Sequence, residues 1–295
     1  MRLIWSLLFL TVPILGVGLL AMSYFTPGGW LPANISEAGP ETDRPLYYIL
    51  GITGVIFVIT EVLLVWAMWS SRGHSEGGKS HYSHGNTKLE IAWTLGTAAI
   101  LLFIAFYQIP IWSAAKYYSQ RPKGKVPDVL VEASQFLWQV RYPAWDAANN
   151  RLHALNTLSP DNALSFEQVN ELHLPAGESI LIHLKAKDVL HSFWIPAMRV
   201  KQDTVPGNLA PVWFKIDPKQ LEKSCLVATP AQPVRVGDEV FTELYQYEWT
   251  CAELCGWGHS MMRARLIVHP NRADYERWLR AASKDWLNKT TAAAP

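Results

Sequence analysis

Apolar and polar positions divide the chain into two unlike halves. Residues 3–22, 47–69 and 89–112 are each nearly unbroken apolar sequence. At about 1.5 Å per residue, stretches of this length cross a hydrocarbon core of about 30 Å, so the second and third predict membrane helices. The first has two readings. Met1-Arg2, an apolar run and the small residues Ala21 and Ser23 also compose a secretory signal, although a signal's apolar region usually runs about 7–15 residues. From Arg121 onward the pattern changes to short runs rich in β-branched and aromatic residues, at 129–142, 179–185, 240–249 and 263–269. Pro-Ala-Gly at 175–177 and Pro-Gly at 206–207 mark turns between them. Tyr275, Trp278, Leu279 and Ala282 then recur at helical spacing, ahead of a frayed last nine residues.

The predicted fold is therefore membrane α plus all-β, with two or three transmembrane helices followed by a β-sandwich. Its expected divisions are a signal peptide or extra transmembrane helix over 1–25, a transmembrane helical hairpin over 45–115, a β domain over 121–270, and a C-terminal helix and tail over 271–295.

Composition sharpens this picture. The chain is 49% apolar and 17% charged, where a soluble chain carries about 25% charged residues. With 26 basic and 25 acidic residues the net charge is +1, which removes any electrostatic case for a nucleic-acid partner. Between the second and third apolar stretches, Arg72, Lys79 and Lys88 stand against one acid, Glu76, which predicts a cytoplasmic loop. The C-terminal half is then extracytoplasmic, on the periplasmic side of a bacterial-type plasma membrane. That compartment is oxidising, so the neighbouring Cys251 and Cys255 need a reason to stay unpaired, and with Cys225 they are too few for a disulfide scaffold.

The reason lies in Cys251-Ala-Glu-Leu-Cys255-Gly-Trp-Gly-His259-Ser-Met-Met262, which places two thiols, an imidazole and a thioether within twelve residues. A second imidazole, His191, stands about sixty residues upstream in Leu-His-Ser-Phe-Trp-Ile-Pro. Soft sulfur with imidazole selects copper, zinc or iron-sulfur centres. A structural Cys2His2 zinc site is one reading, with Met262 as core. A mononuclear blue-copper site has no role for the second Cys. Two thiolates bridging two copper ions use every donor, and the spacing favours that reading while leaving zinc open.

The His191 segment, Lys201-Gln-Asp-Thr-Val-Pro-Gly207, the Cys251 to Met262 segment and Glu90-Ile-Ala-Trp-Thr94 together resemble subunit II of haem-copper cytochrome c oxidase, over about residues 45–270. The resemblance implies a cupredoxin-like sandwich with a binuclear copper centre, CuA. It assigns Cys251 and Cys255 as bridging thiolates, His191 and His259 as terminal ligands, and Met262 and the Glu253 carbonyl as the remaining donors. It implies that the Glu253 carboxylate helps hold a magnesium ion shared with subunit I, and that Glu90 takes part in proton uptake. It implies an electron donor, cytochrome c or an equivalent, with haem-bearing subunit I and subunit III as partners. A stand-alone membrane-tethered copper carrier is the alternative.

Some positions depart from that pattern. Gln135-Phe136-Leu137-Trp138 stands where the family has Gln-Trp-x-Trp, so the aromatic associated with electron uptake is Phe136. Trp138 and Trp257 are further candidates. Trp257 sits between two ligands with a glycine on either side. Pro206-Gly207 is followed by Asn208, and an insertion over about 218–240 contains Cys225, expected to be an ordinary thiol. No Cys-x-x-Cys-His occurs, so no covalent haem is expected on this chain. Glu61, inside a membrane stretch, is expected to contact subunit I. His74, His81 and His84 are expected to be solvated.

Overall fold

The computed structural model describes residues 2–26, 30–70, 82, 84–157, 164–224 and 232–292. His74, His81 and Cys225 lie outside these residues, as do Arg72, Glu76 and Lys79 of the basic loop. The chain forms two compact units, Met1–Trp30 with Glu41–Trp112, and Leu31–Pro40 with Ser113–Pro295.

The first unit is helical. Helices α1 (Arg2–Phe25), α2 (Gly39–Ser70) and α3 (Thr87–Lys116) are each long and apolar enough to cross a membrane. Their large apolar side chains are exposed, as suits helices whose surroundings are lipid or other subunits. Helix α3 starts on an Asn86 cap, whose Oδ1 accepts the Leu89 N–H at 3.2 Å. Glu90 follows in its first turn, where a carboxylate favours the helix dipole.

The second unit is a sandwich of two five-stranded sheets. One sheet holds β1 (Val129–Ser134), β2 (Leu137–Pro143), β5 (Ser165–Val169), β7 (Ser179–Ala186) and β10 (Ala210–Lys215), in the order β10-β7-β1-β2-β5. The other holds β6 (Glu171–Pro175), β8 (His191–Ile195), β9 (Val200–Thr204), β13 (Tyr245–Cys251) and β14 (Arg263–His269), in the order β6-β14-β13-β8-β9. Two small hairpins, β3 (Trp145–Asp146) with β4 (Arg151–Leu152) and β11 (Val234–Val236) with β12 (Glu239–Phe241), complete it together with a short helix α4 (Pro218–Ser224). Alternation turns Trp138, Val140 and Tyr142 of β2 inward. Trp138 meets Trp249 of the facing sheet with ring centroids 4.7 Å apart.

The run 129–142 is not one strand. It folds back at Gln135-Phe136 into the β1–β2 hairpin, with Ser134 opposite Leu137. The α1–α2 connection and the C-terminal helix also join the sandwich. Ile35 is fully buried, its N–H donating to the Ala197 carbonyl and its own carbonyl accepting from the Asp217 N–H. Helix α5 (Arg272–Ala292) lays Tyr275, Trp278, Leu279 and Ala282 into the same core. Its start is capped by Asn271, whose Oδ1 accepts the Asp274 N–H at 2.9 Å.

Candidate metal centre

Strand pairing creates the site. Strands β8 and β13 align Phe193 with Cys251, and the Ala252 N–H donates to the Ser192 carbonyl, so His191 at the start of β8 reaches the end of β13. The connection from β13 to β14 then carries the other donors. Its base is closed where the Cys251 N–H and the Thr250 hydroxyl both donate to the Met262 carbonyl. Inside it, Gly256 adopts φ 134°, a conformation glycine takes without a Cβ penalty, and His259 to Met261 form a single 3-10 turn.

Six donors converge there. Cys251 Sγ lies 3.9 Å from Cys255 Sγ, 3.9 Å from His191 Nδ1 and 3.2 Å from the Glu253 carbonyl oxygen. Cys255 Sγ lies 3.6 Å from His259 Nδ1 and 3.9 Å from Met262 Sδ. His191, Cys251, Cys255 and Met262 are buried, and His259 is half-buried. Among the described residues, His191, Cys251 and Cys255 form the one group of three or more His, Cys, Asp or Glu side chains whose donor atoms all lie within 4.8 Å of one another. Both cysteines are free thiols. Two sulfurs 3.9 Å apart can both reach one ion at about 2.3 Å, so this donor set fits a thiophilic metal. Burial and the adjacent Cys251 push the Cys255 thiol above its ordinary range, a bias that a bound cation reverses.

A supporting layer orients the donors. His191 Nε2 lies 2.9 Å from Asp188 Oδ1, which places the ring proton there and turns the Nδ1 lone pair toward the cysteines. Burial opposes ionisation of Asp188, but the Gln135 N–H, His191 and the Val189 N–H hold its carboxyl below the usual range. Gln135 Nε2 in turn donates to the Cys255 carbonyl at 2.5 Å. The β1–β2 tip therefore fastens both donor-bearing segments. Sequence reading missed Asp188 and Gln135; the one available signal was an acid three residues before a candidate ligand, His191.

The other expected residues fall as follows. Phe136 is half-buried against Gly256 and Gly258, where an added Cβ would approach its ring to 3.1 and 2.5 Å. Trp257 is 84% exposed, with its ring edge-on to Phe136 at 5.1 Å between centroids. Trp138 is a correction: it is fully buried among His191, Phe193 and Trp249, so it presents no surface to a donor. The Glu253 side chain is exposed, Glu90 lies in the helical unit, and Glu61 there has a buried Oε2 with no partner among the described residues. His84 stacks edge-on with Tyr82.

Known proteins resemble this chain along most of its length. The chain is 27% identical to the alternative cytochrome c oxidase subunit 2 of Bradyrhizobium diazoefficiens, covering 90% of this chain and 88% of that one. It is 25% identical to the cytochrome c oxidase subunit 2 of Thermostichus vulcanus, covering 90% and 81%. The crystal structure of the periplasmic domain of subunit II of the Bradyrhizobium japonicum cytochrome oxidase matches at 23% identity and a TM-score of 0.36, covering 56% of this chain and 98% of that one. Family models for the cytochrome c oxidase subunit II transmembrane domain and periplasmic domain match residues 42–111 and 128–222, together more than half of the chain, which belongs to the cytochrome c oxidase subunit II family.

Proposed function

We propose that the chain accepts electrons one at a time at a binuclear copper centre, CuA, and hands them to haem in subunit I, where oxygen is reduced and protons are pumped. The convergence of six donors on one buried spot carries this reading. A tetrahedral ion uses four donors. Two ions held here would share the Cys251 and Cys255 thiolates, and His191, His259, Met262 and the Glu253 carbonyl would supply the remaining donors of two four-donor sets. None is left over, and no position stays open for a substrate. When bound, such a pair supplies a one-electron store whose geometry changes little on reduction. The chain's own residues do the rest. Burial of Cys251, Cys255 and Met262 excludes water, β8–β13 pairing fixes the spacing, and Asp188 holds the His191 tautomer.

The same reading assigns the exposed Glu253 carboxylate to a magnesium ion shared with subunit I, and Glu90 to proton uptake. Subunit III and a periplasmic donor such as cytochrome c are the further partners. The excess of Arg and Lys over 70–88 supports a cytoplasmic loop there, with the β domain, 121–270, on the periplasmic side and 271–295 as its C-terminal helix and tail. The 45–115 hairpin anchors it, and 1–25 serves as a signal peptide or a further span. Membership of an oxidase subunit family disfavours the stand-alone carrier.

Metal analysis of the purified complex with paramagnetic resonance tests the centre. The expected result is two copper ions per chain and a seven-line hyperfine pattern, from one unpaired electron shared by two equivalent nuclei. One zinc ion per chain, or a four-line spectrum from a single copper, would overturn it.

A further inference from the structure

A relay whose metal donors are buried needs a surface group through which an external carrier reaches it, because electron tunnelling falls exponentially with distance. One large exposed aromatic side chain springs from the segment that bears the ligands. Trp257 is two residues from Cys255 and two from His259, and its side chain is 84% exposed. Its ring is not isolated. Phe136, from the tip of the β1–β2 hairpin, stands edge-on to it at 5.1 Å and lies directly on the backbone of Gly256 and Gly258, with no room for a Cβ at either. The two rings thus form a step, the outer one exposed and the inner one pressed against the chain that joins two ligands. Gln135 beside Phe136 bonds the Cys255 carbonyl, which holds the step in register with the metal donors.

The surroundings specify the partner. Between Cys251 and Met262 there is no Lys or Arg and one acid, Glu253, and the hairpin tip over 134–137 carries no charge. Asp188 is nearby, but its oxygens are engaged by His191 and by the Val189 and Gln135 N–H groups. Leu254 and Met261 of the same segment are also exposed, at 79% and 62%. An uncharged aromatic step matches an uncharged apolar rim and offers little steering to a charged one.

We propose that Trp257, backed by Phe136, is where the chain accepts electrons, and that its partner there is a one-electron carrier whose redox edge is rimmed by apolar, uncharged side chains. One electron leaves the carrier's reduced group and reduces the metal centre by one; no bond forms or breaks, and Trp257 is chemically unchanged. This rests on the metal-relay reading above.

The test uses the whole oxidase complex in detergent, with soluble monohaem cytochrome c as protein donor and hexaammineruthenium(II) as a small donor that needs no docking surface. Copper content is measured first; a parent complex without copper would overturn both readings. With copper present in parent and variants, Trp257→Ala is expected to slow reduction by cytochrome c about tenfold or more, as truncating a central interface Trp does. Reduction by the ruthenium complex stays unchanged. Trp257→Phe keeps most of the rate, and Phe136→Leu loses less than Trp257→Ala. The cytochrome c Kd, measured on copper-depleted complex, rises in Trp257→Ala, and in the parent it changes little with added salt. Equal cytochrome c rates in Trp257→Ala and parent, or equal slowing with both donors, would overturn the assignment of Trp257. A Kd that climbs steeply with salt would overturn the apolar partner.

Discussion

At the scale of single residues, the site depends on two positions where a side chain is forbidden. Gly258 has φ −87° and ψ 7°, the bridge region that non-glycine residues occupy at the third position of type I turns, so alanine there meets no positive-φ penalty. Its Cβ would nevertheless stand 2.5 Å from the Phe136 ring. Gly258→Ala is therefore chiefly a steric probe, expected to cost about 1–3 kcal/mol as overpacking does. Because the displaced ring lies on the ligand-bearing segment, the variant should lose copper to a chelator faster than the parent. Adding Phe136→Leu should recover much of the loss, since residues in contact couple. Chelator-exchange rates of the two single variants and the double variant check this, and strictly additive losses would mean that Phe136 and Gly258 do not oppose each other. Trp138 teaches the complementary lesson. It is a candidate for electron uptake by sequence, but the inward alternation of β2 makes it a wall of the core behind His191.

At the scale of elements, α5 covers a buried polar pair. His173 Nδ1 lies 3.0 Å from His269 Nε2, His173 Nε2 lies 2.8 Å from Glu171 Oε1, and Trp278 of α5 stacks on His173 at 3.8 Å. Burial, then His173 and Arg277, hold His269 down at about 2; burial likewise lowers His173 against the pull of Glu171. An unfolded histidine titrates near 6.5. The native imidazole is neutral across this interval, so its contribution is full above about 6.5 and is lost as pH falls toward about 2 and the unfolded chain binds the proton. Unfolding midpoints of the solubilised complex, followed by tryptophan fluorescence, should fall between about pH 7 and pH 5. His269→Gln should reduce the slope by about one proton, and an unchanged slope would remove His269 from the linkage. Helix α5 itself was legible from its i, i+3, i+4, i+7 spacing, because that periodicity is local. The β1–β2 hairpin was not: apolar and polar positions run on through Ser134-Gln-Phe-Leu137 with no Gly, Pro, Asn or Asp to mark a turn. The place of Ile35 in the sandwich was equally hidden, since its partners Ala197 and Asp217 are far away in sequence. The convergence of His191, Cys251, Cys255 and His259 could be anticipated because thiol and imidazole spacing is a chemical signature. Asp188 and Gln135 act through hydrogen bonds that exist only once the two sheets have met.

At the scale of the whole molecule, a membrane unit and a metal-bearing unit share one chain, and the proposed function gives each a separate task. Electrons are taken up at the β domain, while protons for oxygen reduction must come from the opposite side if charge is to be moved across the membrane. Glu90 stands in the first turn of α3, exposed and favourable with the helix dipole behind the Asn86 cap. As a helix-start acid alone, it would contribute about 0.3–1 kcal/mol and nothing to turnover. As a proton-uptake group it must gain and lose a proton in each cycle, which Gln cannot do while preserving shape and hydrogen bonding. Glu90→Gln is thus expected to lower steady-state oxygen consumption while the stopped-flow reduction of copper by the donor stays as fast as in the parent. The split between the two rates carries the information. Loss of both would implicate folding or assembly, and an unchanged turnover would leave Glu90 as a helix-start acid and move proton uptake to another subunit.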